Sequence, residues 1–326
     1  MRKTAMGFDT IAISFMSRAN RFHVVKALRP HQWTKNLVVF AAPLFDFSFG
    51  GSSILRSSLA FALFCCLSSS FYLINDVADV ESDRRHPIKC QRPIASGLVS
   101  VPFAIAMAVV LMAGSLIIGW ATAPLLGAIL LGYALVQVVY NLKVKHSPIL
   151  DIVAIATGFV LRACAGGAAN NIDLSPWFLL CTAMLALFLG IEKRKAERRL
   201  FESGSTQRTR RVLKHYSLDL LNRMESMVTT GAVMSYALWS SGPAVNGAST
   251  PWMLLTLPFV LYGIFRYQLL SDPSGALLEC DRPCNRERTE RPEEILLSDG
   301  PILGTVAGWV LTSLIILTAH QYGWIQ

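Results

Sequence analysis

Charge is scarce in this chain. Only 16% of its 326 residues are Asp, Glu, Lys or Arg, where an ordinary soluble domain carries about a quarter. That shortage excludes a water-soluble globular domain. No period-two alternation of apolar and polar residues competes for a strand reading, and no internal repeat stands out. The N-terminal residues do not read as a clean signal peptide: the apolar stretch Ile11 to Met16 is too short and follows Asp9. Residues 8–26 read instead as an interfacial amphipathic helix, with Arg18, Arg21 and Lys26 near lipid headgroups. Cysteine is sparse and uninformative. Cys65, Cys66, Cys164 and Cys181 fall inside apolar segments as packing residues. Cys90, Cys280 and Cys284 fall in loops assigned to a reducing side. Cys280-x-x-x-Cys284 has no second Cys or His pair nearby to complete a zinc site.

Apolar residues are plentiful. They make up 53% of the chain, and its mean hydropathy is +0.45. A helix needs roughly 20 apolar residues to cross a bilayer core. About nine segments approach that length: 34–50, 54–74, 101–121, 124–140, 148–169, 175–191, 224–240, 251–270 and 301–319. Asp46 and Pro43 interrupt the first. The fold class expected is all-α, a polytopic membrane helical bundle. Residues 1–32 form an N-terminal segment and 33–326 a single transmembrane domain.

Basic residues are almost absent from one side of that bundle. With nine spans, the N-terminus and loops 75–100, 141–147, 192–223 and 271–300 share a side. Every Lys and Arg belongs there except Arg56 on the opposite side and Arg162 within a span. The excess of Lys and Arg places that side in the cytoplasm and the C-terminus outside a cytoplasmic (inner) membrane. The net charge of +9 is then largely topological and argues for no nucleic acid partner.

Asn75-Asp76-x-x-Asp79-x-x-x-Asp83 closes the second span. If the helix runs through it, Asp76, Asp79 and Asp83 fall at i, i+3 and i+7 on one face. Three aligned carboxylates repel unless a cation neutralises them. Hard oxygen ligands suit Mg²⁺ that also holds substrate phosphates. The alternative is a solvated loop capping a helix end. Tyr140, Lys143, Lys145 and His146 follow the fourth span, and Glu192 to Arg199 follow the sixth. Lys193 and Glu197 are four apart, as a plain ion pair or as part of a phosphate clamp. Lys143 or Lys145, taken alone, reads better as a topology anchor. Arg162 inside a span is costly and faces a bundle interior or a cavity, either as an ion pair or as an anion site. Its small neighbours Ala163, Ala165, Gly166 and Gly167 permit close helix packing.

These residues carry a resemblance. Leu28-Arg29-Pro30-His31-Gln32-Trp33-Thr34-Lys35-Asn36, Asn75 to Pro87, Lys89, Arg92 to Gly97, Tyr140 to Lys145, Asp151, Leu161 to Gly167, Lys193-Arg194-x-x-Glu197, Tyr216 and Arg291 to Asp299 resemble the UbiA superfamily of intramembrane prenyltransferases. Within it they look like the decaprenyl-phosphate phosphoribosyltransferases. The usual second Asp-x-x-x-Asp motif is absent, and Lys193-Arg194 stands in its place. Gly300 stands where the family usually has a basic residue, and Cys90 interrupts a usually more basic stretch.

The resemblance implies Mg²⁺ on Asp76, Asp79 and Asp83, with Tyr140 and Lys145 at the reacting groups. It implies that Gln32, Lys35, Asn75, Lys89, Arg92, Arg162, Lys193, Arg194, Glu197 and Tyr216 bind substrate. The donor implied is phosphoribosyl diphosphate and the acceptor a polyprenyl phosphate, for cell-envelope glycolipid precursors. Whether the chain forms a homo-oligomer stays open. Two other functions fit parts of the pattern. One is an aromatic prenyltransferase using a polyprenyl diphosphate. The other is a non-enzymatic polyprenyl-lipid transporter, which has no need for aligned carboxylates.

Overall fold

The structure is a computed structural model and describes residues 18–46, 50–202, 213, 215–242, 247–272 and 298–324. The described residues are helical and contain no strand. The chain opens with α1 (Arg18–Ala27), a 3₁₀ helix (Pro30–Phe40) and the short α2 (Ala41–Phe45). Then come α3 (Gly51–Ala78), α4 (Val80–Arg84), α5 (Val101–Thr122) and α6 (Pro124–Leu142). The rest is α7 (Leu150–Asn170), α8 (Pro176–Glu202), α9 (Leu218–Ser241), α10 (Leu257–Ser271) and α11 (Gly300–Gln321).

Local chemistry sets these ends. Ala123 alone separates α5 from α6, and Pro124 starts the second of them at a position where a missing N–H costs nothing. Asn171 adopts a left-handed conformation (φ 53°) and ends α7. The Ser217 and Asp299 side chains accept from the amides of Leu220 and Ile302, at 3.1 and 2.9 Å, and cap α9 and α11.

Among the described residues, seven helices are long and apolar enough to cross a membrane: α3, α5, α6, α7, α8, Pro251–Ser271 and α11. The chain is a multi-pass membrane protein. Two of the nine expected spans do not meet that standard. Residues 34–50 break between a 3₁₀ helix and the single turn α2. The span at 224–240 lies in α9, which has the length but alternates apolar residues with Ser226, Thr229, Thr230, Ser235 and Ser240. Polar α9 packs against α8 and α10, whereas α5 turns Val109, Val110, Ile117 and Ile118 outward, as a lipid-facing helix does.

Consecutive helices pack on one another, α3 on α5, α5 on α6, α6 on α7, α7 on α8 and α8 on α9. One apolar core joins α3, α6 and α7 through Leu63, Phe64, Leu67, Leu130, Tyr133 and Ala165. A second joins α7 to α8, α9, α10 and α11 through Ile152, Phe188, Leu221, Ile264 and Ile302. The boundary expected between residues 32 and 33 falls inside the single 3₁₀ helix Pro30–Phe40. That helix lies on α3 and α7. A Cβ at Gly166 would collide with the Val39 carbonyl oxygen, so only glycine admits this approach.

Candidate active site

The aspartate motif does not run on as one helix. α3 ends at Ala78, and Asp79 takes a bridging conformation (φ −94°, ψ 4°) before α4 begins. The expected single face of Asp76, Asp79 and Asp83 is therefore broken. Asp76 and Asp83 are buried, each 3% exposed, while Asp79 is exposed. Cationic side chains hold the buried pair. Arg92 Nη1 lies 3.0 Å from Asp76 Oδ1 and 2.6 Å from Asp83 Oδ2. Arg29 Nη2 lies 2.5 Å from the same Asp76 oxygen and stacks over the Tyr72 ring at 5.0 Å. Such charge-assisted pairs are the strong class of hydrogen bond. Asn75 is half-buried beside Asp76, and Lys89 is exposed on a 3₁₀ turn (Lys89–Gln91) below Arg92.

Arg29 reaches Asp76 because its segment is clamped to α3. A 3₁₀ helix has three residues per turn, so i, i+3 and i+6 eclipse. Trp33, Asn36 and Val39 share one such face. Trp33 Nε1 donates to Ser69 Oγ at 3.0 Å, and the Asn36 amide donates to Cys65 Sγ at 3.2 Å. Ser69 and Cys65 are four apart on α3, one above the other. Gln32 and Lys35 repeat at the same interval on another edge, and both are half-buried; Arg29 precedes the helix as its N-cap, left-handed at φ 56°. Lys35 and Tyr72 lie within electrostatic reach of Tyr133.

Of the two expectations for Arg162, the structure bears on the ion pair. Arg162 makes no ion pair among the described residues. It donates to Asn36 Oδ1 at 2.6 Å, the Gly158 carbonyl at 2.7 Å and the Tyr133 hydroxyl at 3.0 Å. The rings of Tyr133, Phe159 and Phe64 surround it at 4.8 to 5.8 Å. Asn36 binds α3 at Cys65, eleven residues before Asp76. At 1.5 Å per residue that is about 16 Å down the helix from the aspartates. Arg162 pins α7 to the 3₁₀ helix and to α6.

Residues after the sixth expected span form a second network. Arg194 is fully enclosed, 0% exposed. Its Nε lies 2.8 Å from Asp151 Oδ2, and its Nη1 pairs with Glu197. The Tyr216 hydroxyl donates to Asp151 Oδ1 at 2.7 Å and accepts from the Ile149 amide at 2.5 Å. Burial pushes the Tyr216 phenol well above its ordinary pKa, and Asp151 adds to the shift. Tyr140, half-buried at the end of α6, is an electrostatic neighbour of Arg194. Lys145 sits half-buried on the 3₁₀ turn Val144–His146, and Lys193 is half-buried on α8. Nearby, Lys195 bridges Glu192 (2.8 Å) and Glu225, and Gln268 donates to Glu225 at 2.7 Å. Arg198 and Arg199 reach the carbonyls of Leu213 and Ser271.

A model of the UbiA prenyltransferase family matches residues 37–276. The chain belongs to that family. It is 38% identical over 294 residues to the decaprenyl-phosphate phosphoribosyltransferase of Corynebacterium glutamicum, covering 88% of this chain and 84% of that one. It is 36% identical over 297 residues to the Mycobacterium tuberculosis protein of the same name, covering 89% and 92%. A UbiA homologue from Archaeoglobus fulgidus bound to GPP and Mg²⁺ shares the fold, with a TM-score of 0.64 and 17% identity. The match covers 91% of this chain and 99% of that chain.

This UbiA chain keeps its acidic mouth but rearranges several expected site residues. Asp76, Asp83 and Arg92 come together, with Arg29 added. Asp79 stands apart because the helix breaks at it. Arg194 and Tyr216 are enclosed and paired with Asp151, and Arg194 also with Glu197. Among the described residues no three His, Cys, Asp or Glu side chains converge as a ligand set. Reasoning from sequence passed over Arg29, Asp151 and Glu225 as site or network members. Two of them were visible by one signal: an acid at or inside an apolar span demands a partner. Cys280, Cys284 and residues 291–297 of the late acidic segment lie outside the described residues.

Proposed function

We propose that the protein transfers the 5-phosphoribosyl group of phosphoribosyl diphosphate to a polyprenyl phosphate and releases diphosphate. The observation that carries this reading is the 36–38% identity, over nearly nine-tenths of the chain, to proteins named decaprenyl-phosphate phosphoribosyltransferase. The site supports it. Asp76 and Asp83 supply hard oxygen donors, and Mg²⁺ is commonly held by one or two carboxylates plus substrate phosphates. Two buried carboxylates with Asp79 at the rim fit that requirement. Bound there, Mg²⁺ would neutralise charge on the leaving diphosphate.

The chain's own residues account for the rest. Arg29 and Arg92, already drawn to the mouth, hold anionic oxygens beside the carboxylates. Gln32 and Lys35 continue that edge inward along the 3₁₀ helix, and Asn75 and Lys89 flank it. Tyr140 and Lys145 position a phosphate at the donor–acceptor boundary, with Lys193 nearby. The C1–O bond to diphosphate breaks as a lipid phosphate oxygen bonds to C1. That oxygen is already anionic, so no strong general base is required. The polyprenyl tail stays in the bilayer among lipid-facing helices. We place the mouth on the cytoplasmic side of the inner membrane, with the C-terminus outside.

Purified protein given labelled phosphoribosyl diphosphate, Mg²⁺ and a panel of polyprenyl phosphates should form a labelled lipid and release diphosphate. Transfer of a prenyl group to an aromatic acid, with phosphoribosyl diphosphate ignored, would instead select an aromatic prenyltransferase.

A further inference from the structure

The connection between α6 and α7 contains a strained turn that the proposed reaction does not explain. Ile149 has φ 68° and ψ −51°, and the Leu150 amide donates to the Pro148 carbonyl at 2.8 Å. This is a γ-turn of the rare positive-φ kind. A β-branched residue is poorly suited to that region, and such backbone persists only where its surroundings hold it. The Ile149 side chain is 52% exposed, so its own packing does not hold the turn.

The hold comes from inside. The central amide of the turn donates to the Tyr216 hydroxyl, which donates to Asp151, which pairs with Arg194, which pairs with Glu197. Tyr216 and Arg194 are almost wholly enclosed, and Asp151 is in the first turn of α7. Upstream of the turn, only three residues separate Lys145 from Ile149. We propose that Tyr216, Asp151 and Arg194 form a positioning relay that holds the Ile149 turn and so fixes where Lys145 stands. Tyr216 and Arg194 then serve the reaction through this loop rather than by touching substrate. Its effect on turnover rests on the function proposed above; its effect on the turn does not.

Two measurements test it, with Tyr216→Phe and Ile149→Gly alone and combined. Tyr216→Phe keeps the ring in the core and removes both hydrogen bonds. Glycine enters positive φ freely, so Ile149→Gly lets the turn form without the latch. The first measurement is amide hydrogen exchange of the full-length protein in detergent, read over residues 143–152. Tyr216→Phe should speed exchange there and leave α3 and α5 unchanged. Unaltered exchange at 143–152 overturns the relay, whatever reaction the protein catalyses. The second is phosphoribosyl transfer. Tyr216→Phe should lower turnover about tenfold, the equivalent of one lost buried hydrogen bond or so, and only about twofold in the Ile149→Gly background. An equal tenfold loss in both backgrounds means that Tyr216 acts on substrate directly, and the relay is rejected.

Discussion

Arg162 donates through Nε to the Asn36 side-chain carbonyl at 2.6 Å, across 126 residues of sequence. This single bond joins α7 to the 3₁₀ helix that carries Arg29 to the aspartates. The Asn36 amide group meanwhile holds Cys65 on α3, so one asparagine ties three elements together at the depth of the bundle core.

Asn36→Leu should therefore destabilise the protein. It leaves a charged Nε–H buried without its acceptor, and an orphaned buried donor costs about 1–3 kcal/mol, more when charged. Thermal unfolding in detergent reads the loss directly. A melting temperature unchanged from wild type would show that the pin contributes nothing. Arg162→Lys should also melt lower, because an ammonium cannot span three acceptors set around a planar guanidinium.

The carboxylates at the mouth should rank by burial. Asp76→Ala and Asp83→Ala should each cost about 10²-fold or more in turnover, as loss of a main electrostatic stabiliser does. Asp79→Ala should cost less, because Asp79 stands outside the Arg92 bridge. Equal losses at all three positions would mean that the mouth closes into one three-carboxylate site during turnover. Near wild-type activity in Asp76→Ala would remove the metal-assisted mechanism altogether.

Metal removal should separate activity from stability. Arg29 and Arg92 already neutralise Asp76 and Asp83, so the fold does not depend on a divalent cation to relieve their repulsion. Chelation with EDTA should abolish diphosphate release and leave the melting temperature unchanged. Readdition of Mg²⁺ should restore turnover. A large fall in melting temperature on chelation would reveal a structural metal that the ion pairs do not replace.

Much of this molecule was legible in its sequence, and for identifiable reasons. Long apolar runs fixed α3, α5, α6, α7, α8 and α11 because a membrane helix must satisfy its backbone internally. The spacing of Asp76, Asp79 and Asp83 drew attention to the segment, but it did not show that Asp76 and Asp83 would be buried against Arg92 while Asp79 stays exposed. The break at Asp79 was not legible, since nothing in Asp-Val-Ala-Asp-Val forbids a continuous helix. The burial of Arg194 was hidden for a related reason. Charge next to a membrane boundary looks accessible in sequence, and only the fold shows Asp151, 43 residues earlier, meeting it at 2.8 Å. The docking of residues 30–40 as a 3₁₀ helix was equally hidden. Its three-residue repeat of Trp33, Asn36 and Val39 resembles one stripe of an α-helix until the partners on α3 are known.

Orientation is open to a labelling test. Single cysteines at Ser96, exposed on the 75–100 loop, and at Thr122, exposed at the α5–α6 turn, belong on opposite sides of the membrane. On a background without reactive native cysteines, an impermeant maleimide added to intact cells should label Thr122→Cys. Ser96→Cys should label only after permeabilisation. The reverse pattern would put the aspartate mouth outside and contradict the Lys and Arg asymmetry.

Tyr140 and Lys145 each have a bland alternative role that a conservative change can exclude. Lys145 sits half-buried on the turn after α6. A topology anchor needs only a cation at the interface, so Lys145→Arg would then be silent in both insertion and activity. A phosphate ligand needs a compact ammonium at one point, and a guanidinium is larger and planar. We expect Lys145→Arg to insert and melt as wild type but to lose most turnover. Tyr140→Phe keeps the ring and removes one hydroxyl. Its loss should be smaller, about 1–2 kcal/mol of transition-state stabilisation. Both variants should be assayed at saturating and subsaturating phosphoribosyl diphosphate. A defect confined to low donor concentration means uniform binding, whereas an equal fall in kcat and kcat/KM means a contact made in the transition state. Full activity of both variants in both regimes would return Lys145 to an anchor and Tyr140 to a packing residue.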